Sequence, residues 1–469
     1  MARAVCDDDR ALHAVAVRRR LSAYHAARRS GGVALCRSRV PADRIAYVKG
    51  AAALADLCDR IGDVRFLAGL RGLVDEHRDG YAALPDLVRH QWATGARDID
   101  LWERDWLTRN GIGSLTAVGN RLLRSGACVP RVASLRAVDR HGVTVGRWRL
   151  RVDTDSAASV KLPRVPDGTA VLLPNDDDAA WTYARFSRTD WETVAEVASH
   201  LDHRARSAVW TALQMAIAEA DLGAVQAAKV AAALLAGETD DALLHVAATW
   251  CTEVLLWRHS VDGVAVIRRA LSGVFASAAG GSPLQATAAR HLVDVAEAGP
   301  LRAALATWHG DLRWRAMTRL AALGAAGEAE IDAVARADRS AAAAVSEARC
   351  RAALPGAAAK DRVWRMLITP AGVGVAERVA AVQMFWHPLH RAVTAAYVPR
   401  YFAELVKPGP VAPLLARYGF PVTADMGVVL DHVQRCVRND VVAEGVRWLI
   451  EGAGDEMRRA NSARPGQGG

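Results

Sequence analysis

The sequence predicts a mainly α protein interrupted by one small β-sandwich, and three stretches of the chain carry that expectation. Closely spaced amphipathic patterns run from about residue 46 to 117, and short alternating runs fill about 129 to 187. From Thr189 to about 459 helical periodicity is almost unbroken. At 469 residues the chain exceeds what one hydrophobic core can organise, so several domains are expected.

In the first stretch Leu54, Leu57 and Ile61 fall on one helical face, Gly62-Asp63 turns the chain, and Phe66, Leu67, Leu70, Leu73 and Val74 repeat the pattern. Leu87, Val88 and Trp92 mark a further helix. Leu101, Trp102, Trp106 and Leu107 mark another, which stops at Asn110-Gly111. In the second stretch Val143 to Val152 alternates apolar and polar residues with a change of phase near Gly146, which predicts a bulge. Gly168–Leu173 and Trp181–Phe186 are further strand-like runs, and such spacing suits a sandwich with two unlike faces.

The third stretch opens on Thr189-x-x-Glu192, which reads as a capping box. Trp210, Leu213 and Ile217 form one apolar stripe; Trp314, Met317 and Ala321 form another, interrupted by Arg315 and Arg319 and ended at Gly324. Successive amphipathic helices joined by short Gly, Asp and Pro turns predict a large, irregular α-solenoid-like stack over 188–460. Residues 461–469, rich in Gly, Ser, Pro and Arg, read as a disordered tail.

Composition excludes several function classes. Hydrophobic residues make up 51% and charged residues 24%, an ordinary globular balance. The formal charge is +9, yet lysine occurs only at positions 49, 161, 229, 360 and 407, and the arginines are scattered among acids. Apart from Arg18, Arg19 and Arg20 there is no basic block, and no aromatic-basic stacking motif, so no nucleic-acid partner is expected. The seven cysteines stand apart without a CxxC pair and read as reduced thiols. Asp7, Asp8 and Asp9 occupy the place of a signal peptide's apolar stretch, and no apolar run of spanning length follows. A cytoplasmic protein without a membrane partner is the expectation.

Motifs for chemistry are sparse. There is no HExxH, no GxSxG, no P-loop and no GxGxxG after a strand. His200 with His203, and His387 with His390, have the spacing of one helix face but lack further ligands nearby, so both pairs read as structural or surface histidines. Asp176-Asp177-Asp178 lacks the alternate ligands of a calcium loop and reads as a polar turn between strands.

Ile45-Ala-Tyr47-Val-Lys49-Gly50-Ala-Ala-Ala-Leu54 is similar to the Tyr-x-Lys-Gly-Ala element downstream of the zinc site in the aminopeptidase N family of zinc metallopeptidases. Leu101-Trp102-x-x-x-Trp106-Leu107 with Gly111 and Leu115 resembles the end of that family's catalytic domain. Leu172-Leu-Pro-Asn175-Asp-Asp-Asp178 with Thr182-Tyr183-Ala184-Arg185 resembles its β-sandwich. Asp311-Leu-Arg-Trp314 through Gly327-Glu-Ala-Glu-Ile331, and Val398-Pro-Arg-Tyr401-Phe402, resemble the carboxyl-terminal helical domain of bacterial members, which also looks like that of endoplasmic-reticulum aminopeptidases. Order and spacing agree from about residue 40 to 455; residues 1–40 match poorly.

The resemblance implies a helical remnant of a thermolysin-like catalytic domain over 1–117, a β-sandwich over 118–187, and the helical domain over 188–460. It implies peptides as the partners and zinc as the cofactor of intact relatives, which remove amino-terminal residues. Here neither HExxH nor the amine-binding Gly-Ala-Met-Glu-Asn loop is present, so the expectation is a truncated, inactive chain that binds no cofactor. By the resemblance Tyr47 matches the tyrosine whose hydroxyl stabilises the oxyanion, a role left vestigial without zinc and base. The alternative from a different class is a helical-repeat module that binds a peptide or protein on the concave surface of 188–460. A zinc site rebuilt from His200, His203 or His387 is disfavoured for want of ligands.

Overall fold

A computed structural model describes residues 43–95, 99–108, 111–126, 132–152, 159–178, 180–259, 263–369 and 372–462. The chain divides into two compact units, residues 1–216 and 217–469. The architecture is mainly α, and among the described residues the strands are confined to the first unit. Among the described residues no helix is long and apolar enough to cross a membrane.

The first unit opens with helices α1 (Asp43–Ile61), α2 (Asp63–Glu76), α3 (Leu84–Ala93) and the short α4 (Ile99–Glu103), which continues as a π-helical turn, Arg104–Thr108. Gly62, at φ +83, makes the turn between α1 and α2. That left-handed conformation is open to glycine at no steric cost. Ala53 and Leu57 of α1 pack with Trp102, Trp106, Leu107 and Trp181 in one buried cluster. Of the expected stripe Leu57 is fully buried, whereas Leu54 is 37% exposed and Ala53 is buried in its place. On α2 and α3, Phe66, Leu84 and Val88 pack against that cluster, while a second set of apolar residues faces outward: Val64 is 84%, Val74 61% and Trp92 49% exposed. The pattern was helical as read, but Val64, Leu67, Val74 and Trp92 stay exposed in the described part of the unit.

Strands β1 (Gly113–Val118), β2 (Arg121–Ser125), β3 (Val132–Val138), β4 (Thr144–Arg151), β5 (Ser159–Lys161), β6 (Val171–Pro174) and β7 (Thr182–Arg185) follow. They form a four-stranded sheet, β5-β2-β1-β7, and a three-stranded sheet, β4-β3-β6. Leu115 and Leu122 of one sheet meet Ala133, Leu135 and Leu150 of the other in a shared core, which makes the pair a sandwich. Register between β3 and β4 shifts where Ala137 faces Gly146 and Val138 faces Thr144, so Val145 is the extra residue of a bulge, beside the glycine that marked it. The β1–β2 hairpin lies ahead of the stretch recognised as strands. Its turn is Gly119-Asn120, with Gly119 at φ +56. That dipeptide is the available hairpin signal.

The N-cap of helix α5 (Arg188–Val197) lies two residues before the expected one. Ser187 is the N-cap, its Oγ accepting from the Asp190 N–H at 3.1 Å while Asp190 accepts from the Ser187 N–H at 3.0 Å. Ser187 has the extended backbone an N-cap needs, φ −67 and ψ 167, which places Thr189 inside the first turn. In the next helix, α6 (His203–Ala218), Trp210 and Leu213 are buried.

The second unit is helical throughout its described length. Trp314, Met317 and Ala321 are buried on helix Gly310–Ala322, which ends in a Schellman motif: Gly324 N–H donates to Ala321 O, Ala325 N–H to Leu320 O, and Gly324 has φ +67. The two arginines that interrupt this stripe are not lost packing. Arg315 pairs with Asp294, and Arg319 Nε donates to Ala296 O at 3.1 Å. Further along, Trp364, Phe385, Tyr397 and Tyr401 anchor an aromatic core.

Lys360 sits inside this unit with 0% of its surface exposed. Its Nζ donates to Ala352 O at 2.6 Å and Phe385 O at 3.1 Å, the final carbonyls of helices Ala343–Ala352 and Val375–Phe385. Two helix ends therefore share one donor, which satisfies carbonyls that have no intrahelical partner. Burial pushes the amine down to about 7, against 10.5 for the free side chain. In the unfolded chain the same amine holds its proton more tightly, so stability rises with pH from about 7 toward 10.5 as the buried amine becomes neutral. Lys360→Met is expected to lower stability by roughly 2–6 kcal/mol, since it orphans two buried carbonyls at about 1–3 kcal/mol each. Urea titrations of both proteins at pH 6, 8 and 9.5 check this; a gap that does not widen above pH 7 would contradict a depressed amine.

Candidate functional site

Tyr47 lies in the backbone of α1, but its side chain belongs to the residues outside the description. Lys49 of the same element is buried at 1% exposure. Beyond it, Ala53 O accepts from Trp102 Nε1 at 2.7 Å, and Asp56 Oδ2 accepts from Trp106 Nε1 at 2.8 Å and Arg60 Nε at 2.6 Å. This part of α1 is a docking rail for the tryptophan pair.

The Asp176–Asp178 run is a turn, as expected, but an internal one rather than a solvated one. Asp176 is buried and pairs with Arg136 Nε at 2.7 Å and with Arg147. Arg136 also pairs at 2.6 Å with Asp202, whose carboxylate caps α6 through the Arg204 and Ala205 N–H groups. Arg136 thus ties the sandwich to the helix that follows it. Asn175 holds the turn at φ 55, its Nδ2 donating to Thr182 O at 2.9 Å and its Oδ1 accepting from Ala180 N–H at 3.1 Å. Asparagine tolerates this left-handed backbone because its side chain bonds locally. No carboxylate of the run is arranged as an open cation loop.

The histidine pairs separate into two cases. His200 ends a 3₁₀ turn and His203 begins α6, with extended Leu201 between them, so the spacing of three does not place them on one helix face. His387 and His390 do come together, with ring centroids 5.1 Å apart and both rings buried. Burial holds His387 far below the usual imidazole range and His390 down to about 4, which leaves both neutral. His387 Nδ1 accepts from Leu389 N–H, and His390 Nε2–H donates to Ala322 O at 2.9 Å, the last carbonyl of helix Gly310–Ala322. They serve as helix caps.

Described cysteines 58, 251, 350 and 436 are free thiols. Burial raises all four; Cys58 stands at about 11 and Cys350 at about 12, so neither supplies a thiolate nucleophile near neutral pH. Cys6, Cys36 and Cys128, together with Arg18–Arg20, lie outside the described residues, as do positions 463–469 of the expected tail.

One group among the described residues has the composition and closeness of metal ligands: Glu76, His77 and His90, whose donor atoms lie within 4.8 Å of one another. Glu76 is the last residue of α2, His77 its C-cap, and His90 sits in the last turn of α3. Sequence reasoning passed over it because a Glu-His pair and a lone histidine on the next helix match no fixed-spacing motif. The family's catalytic zinc calls for HExxH and a downstream glutamate. Neither this group, nor the two histidine pairs, nor anything else in the 469 residues supplies that set.

Comparison with known proteins places these observations. The family model for the ERAP1-like C-terminal domain matches residues 171–426, more than half of the chain. Aminopeptidase N of Streptomyces lividans is 27% identical over 420 residues, covering 77% of this chain and 47% of that protein. The chain thus spans about half the length of the curated relative it matches. A match that runs through the sandwich's sixth strand and far into the helical unit, with a collinear relative beyond it, shows that the chain belongs to the ERAP1-like C-terminal domain family and corresponds to a carboxyl-terminal portion of an aminopeptidase N.

Proposed function

We propose that this chain is the non-catalytic half of an aminopeptidase N-type enzyme, with no peptidase activity of its own. The observation that carries the reading is the collinear match to aminopeptidase N over 77% of the chain, in a sequence without HExxH. In this reading residues 1–117 are a helical remnant of the thermolysin-like domain, 118–187 the sandwich, and 188–460 the helical domain that in relatives closes over the active site. The zinc ligands do not fit any described group, so no catalytic step is assigned to these residues. Tyr47 is vestigial as an oxyanion donor, since a phenol hydroxyl accelerates nothing without a nucleophile and a charge to stabilise.

The outward-facing Val64, Leu67, Val74 and Trp92 support the remnant reading. Apolar faces of this kind on soluble proteins mark surfaces that pack on something else. The helical-repeat binding module gains no comparable support.

The purified chain is expected to hydrolyse aminoacyl p-nitroanilides no faster than buffer. Turnover that falls about a hundredfold in Tyr47→Phe would sink the reading, because it would demonstrate an active site built on that hydroxyl. The domain assignment has its own test. Residues 188–460 alone are expected to be soluble and to melt cooperatively by circular dichroism, because their amphipathic faces cover one another. Residues 1–187 alone are expected to aggregate through the faces of α2 and α3; a soluble, cooperative 1–187 fragment would show that this region stands as a domain by itself.

A further inference from the structure

We propose that Glu76, His77 and His90 form a binding site for a divalent metal of the zinc class, distinct from the family's catalytic zinc and independent of the function proposed above. This departs from the expectation that the chain binds no cofactor.

Local sequence places the three donors. Gly69 and Gly72 let α2 and α3 approach so closely that a Cβ at Gly69 would strike the Gln91 amide at 2.6 Å, and one at Gly72 the His90 Nδ1 at 2.8 Å. That approach seats the His90 ring against the end of α2. Gln91, fully buried, fixes the crossing by donating from Nε2 to Phe66 O at 3.1 Å. His90 Nε2 then lies 2.8 Å from Glu76 Oε2, and His77 Nε2 lies 3.8 Å from Glu76 Oε1 and 3.7 Å from Asp86 Oδ2. Donor atoms bound to one tetrahedral zinc at about 2.0–2.1 Å sit roughly 3.3–3.5 Å apart. Shifts well under the length of a side-chain rotamer change would close this group around an ion.

Two further observations point to a ligand. His77 Nε2 is shut off from solvent and has no hydrogen-bond partner, a state that costs free energy unless something satisfies the nitrogen. Glu76 is already held as an acceptor: Arg89 donates to Oε2 at 3.0 Å and Oε1 at 2.7 Å, and this bond keeps its carboxyl below the usual range. Arg89 also reaches Asp86 Oδ1 at 3.3 Å. An outer donor that orients a ligating carboxylate is the usual support of a metal site. The charged groups facing the site are Glu76, Asp86 and Arg89, a formal net of one negative charge, which suits a dication. Two nitrogens and one carboxylate oxygen select zinc-class ions over calcium or magnesium. Glu76 is 45% exposed, which leaves a fourth position for water.

The test uses the full chain after dialysis against chelator. Calorimetric titration with zinc, and visible absorption with cobalt as the probe, read stoichiometry and ligand type. One ion per chain is expected, with cobalt bands of a low-coordinate nitrogen–oxygen site and no sulfur charge-transfer band. His77→Gln and His90→Gln should each weaken binding at least about tenfold, while His200→Gln with His203→Gln should leave it unchanged. Glu76→Gln, at the most exposed ligand, provides a variant least tied to packing should His90→Gln fail to fold by circular dichroism. Absence of binding, binding that survives all three ligand variants, or a thiolate charge-transfer band would each overturn the site.

Discussion

Several buried tryptophans among the described residues give their indole N–H to acceptors on elements distant in sequence, and those bonds join the elements. Trp102 and Trp106 reach Ala53 O and Asp56 Oδ2 of α1; Trp181 reaches Gly111 O at 3.1 Å; Trp386 reaches Gly419 O at 2.7 Å. An indole removes a large apolar area from water only if its single donor is satisfied. The angular demand of that bond then fixes where one helix lies along another. Lys360 and His390 extend the same rule to helix ends, each supplying a buried donor to terminal carbonyls. In a stack of irregular helices without a repeat period, these polar pins set the register that a repeat would otherwise supply.

The fold was legible wherever burial follows periodicity. Trp210 and Leu213, and Trp314 with Met317 and Ala321, are buried as their spacing requires, and Gly62 and Gly324 turn where glycine alone is comfortable. Legibility failed where competing local signals differ only in backbone geometry. Both Ser187-x-x-Asp190 and Thr189-x-x-Glu192 can write a cap; the extended ψ of Ser187 decides, and sequence does not display ψ. In the β1–β2 hairpin only Leu122 of the second strand is buried, so the alternation that announces a strand was too thin to outweigh the helical residues before it.

The candidate site was less legible than the fold, for a related reason. Motif reading recognises ligands at fixed spacing on one element, which is why the His200–His203 and His387–His390 pairs stood out. Extended Leu201 divides the first pair, and burial with backbone partners turns the second into neutral caps. Glu76, His77 and His90 are gathered instead by the close crossing that Gly69 and Gly72 permit. Two glycines three residues apart on a helix are commonplace, and nothing in a single sequence says what will be brought against them.

The chain therefore keeps two kinds of polar order. One kind, the tryptophan, lysine and arginine pins, is fully consumed by structure: Arg136 spends its donors on Asp176 and Asp202, and Asp202 spends its remaining oxygen on a helix cap. Groups so committed cannot also serve a ligand, because releasing them would leave buried charges without partners. The other kind is the α2–α3 end, where a solvent-shielded nitrogen faces two carboxylates that a single exposed arginine holds in place. There the donors of Glu76, His77 and His90 lie together with polar capacity that packing leaves open, so an ion could be taken up without breaking a buried pair.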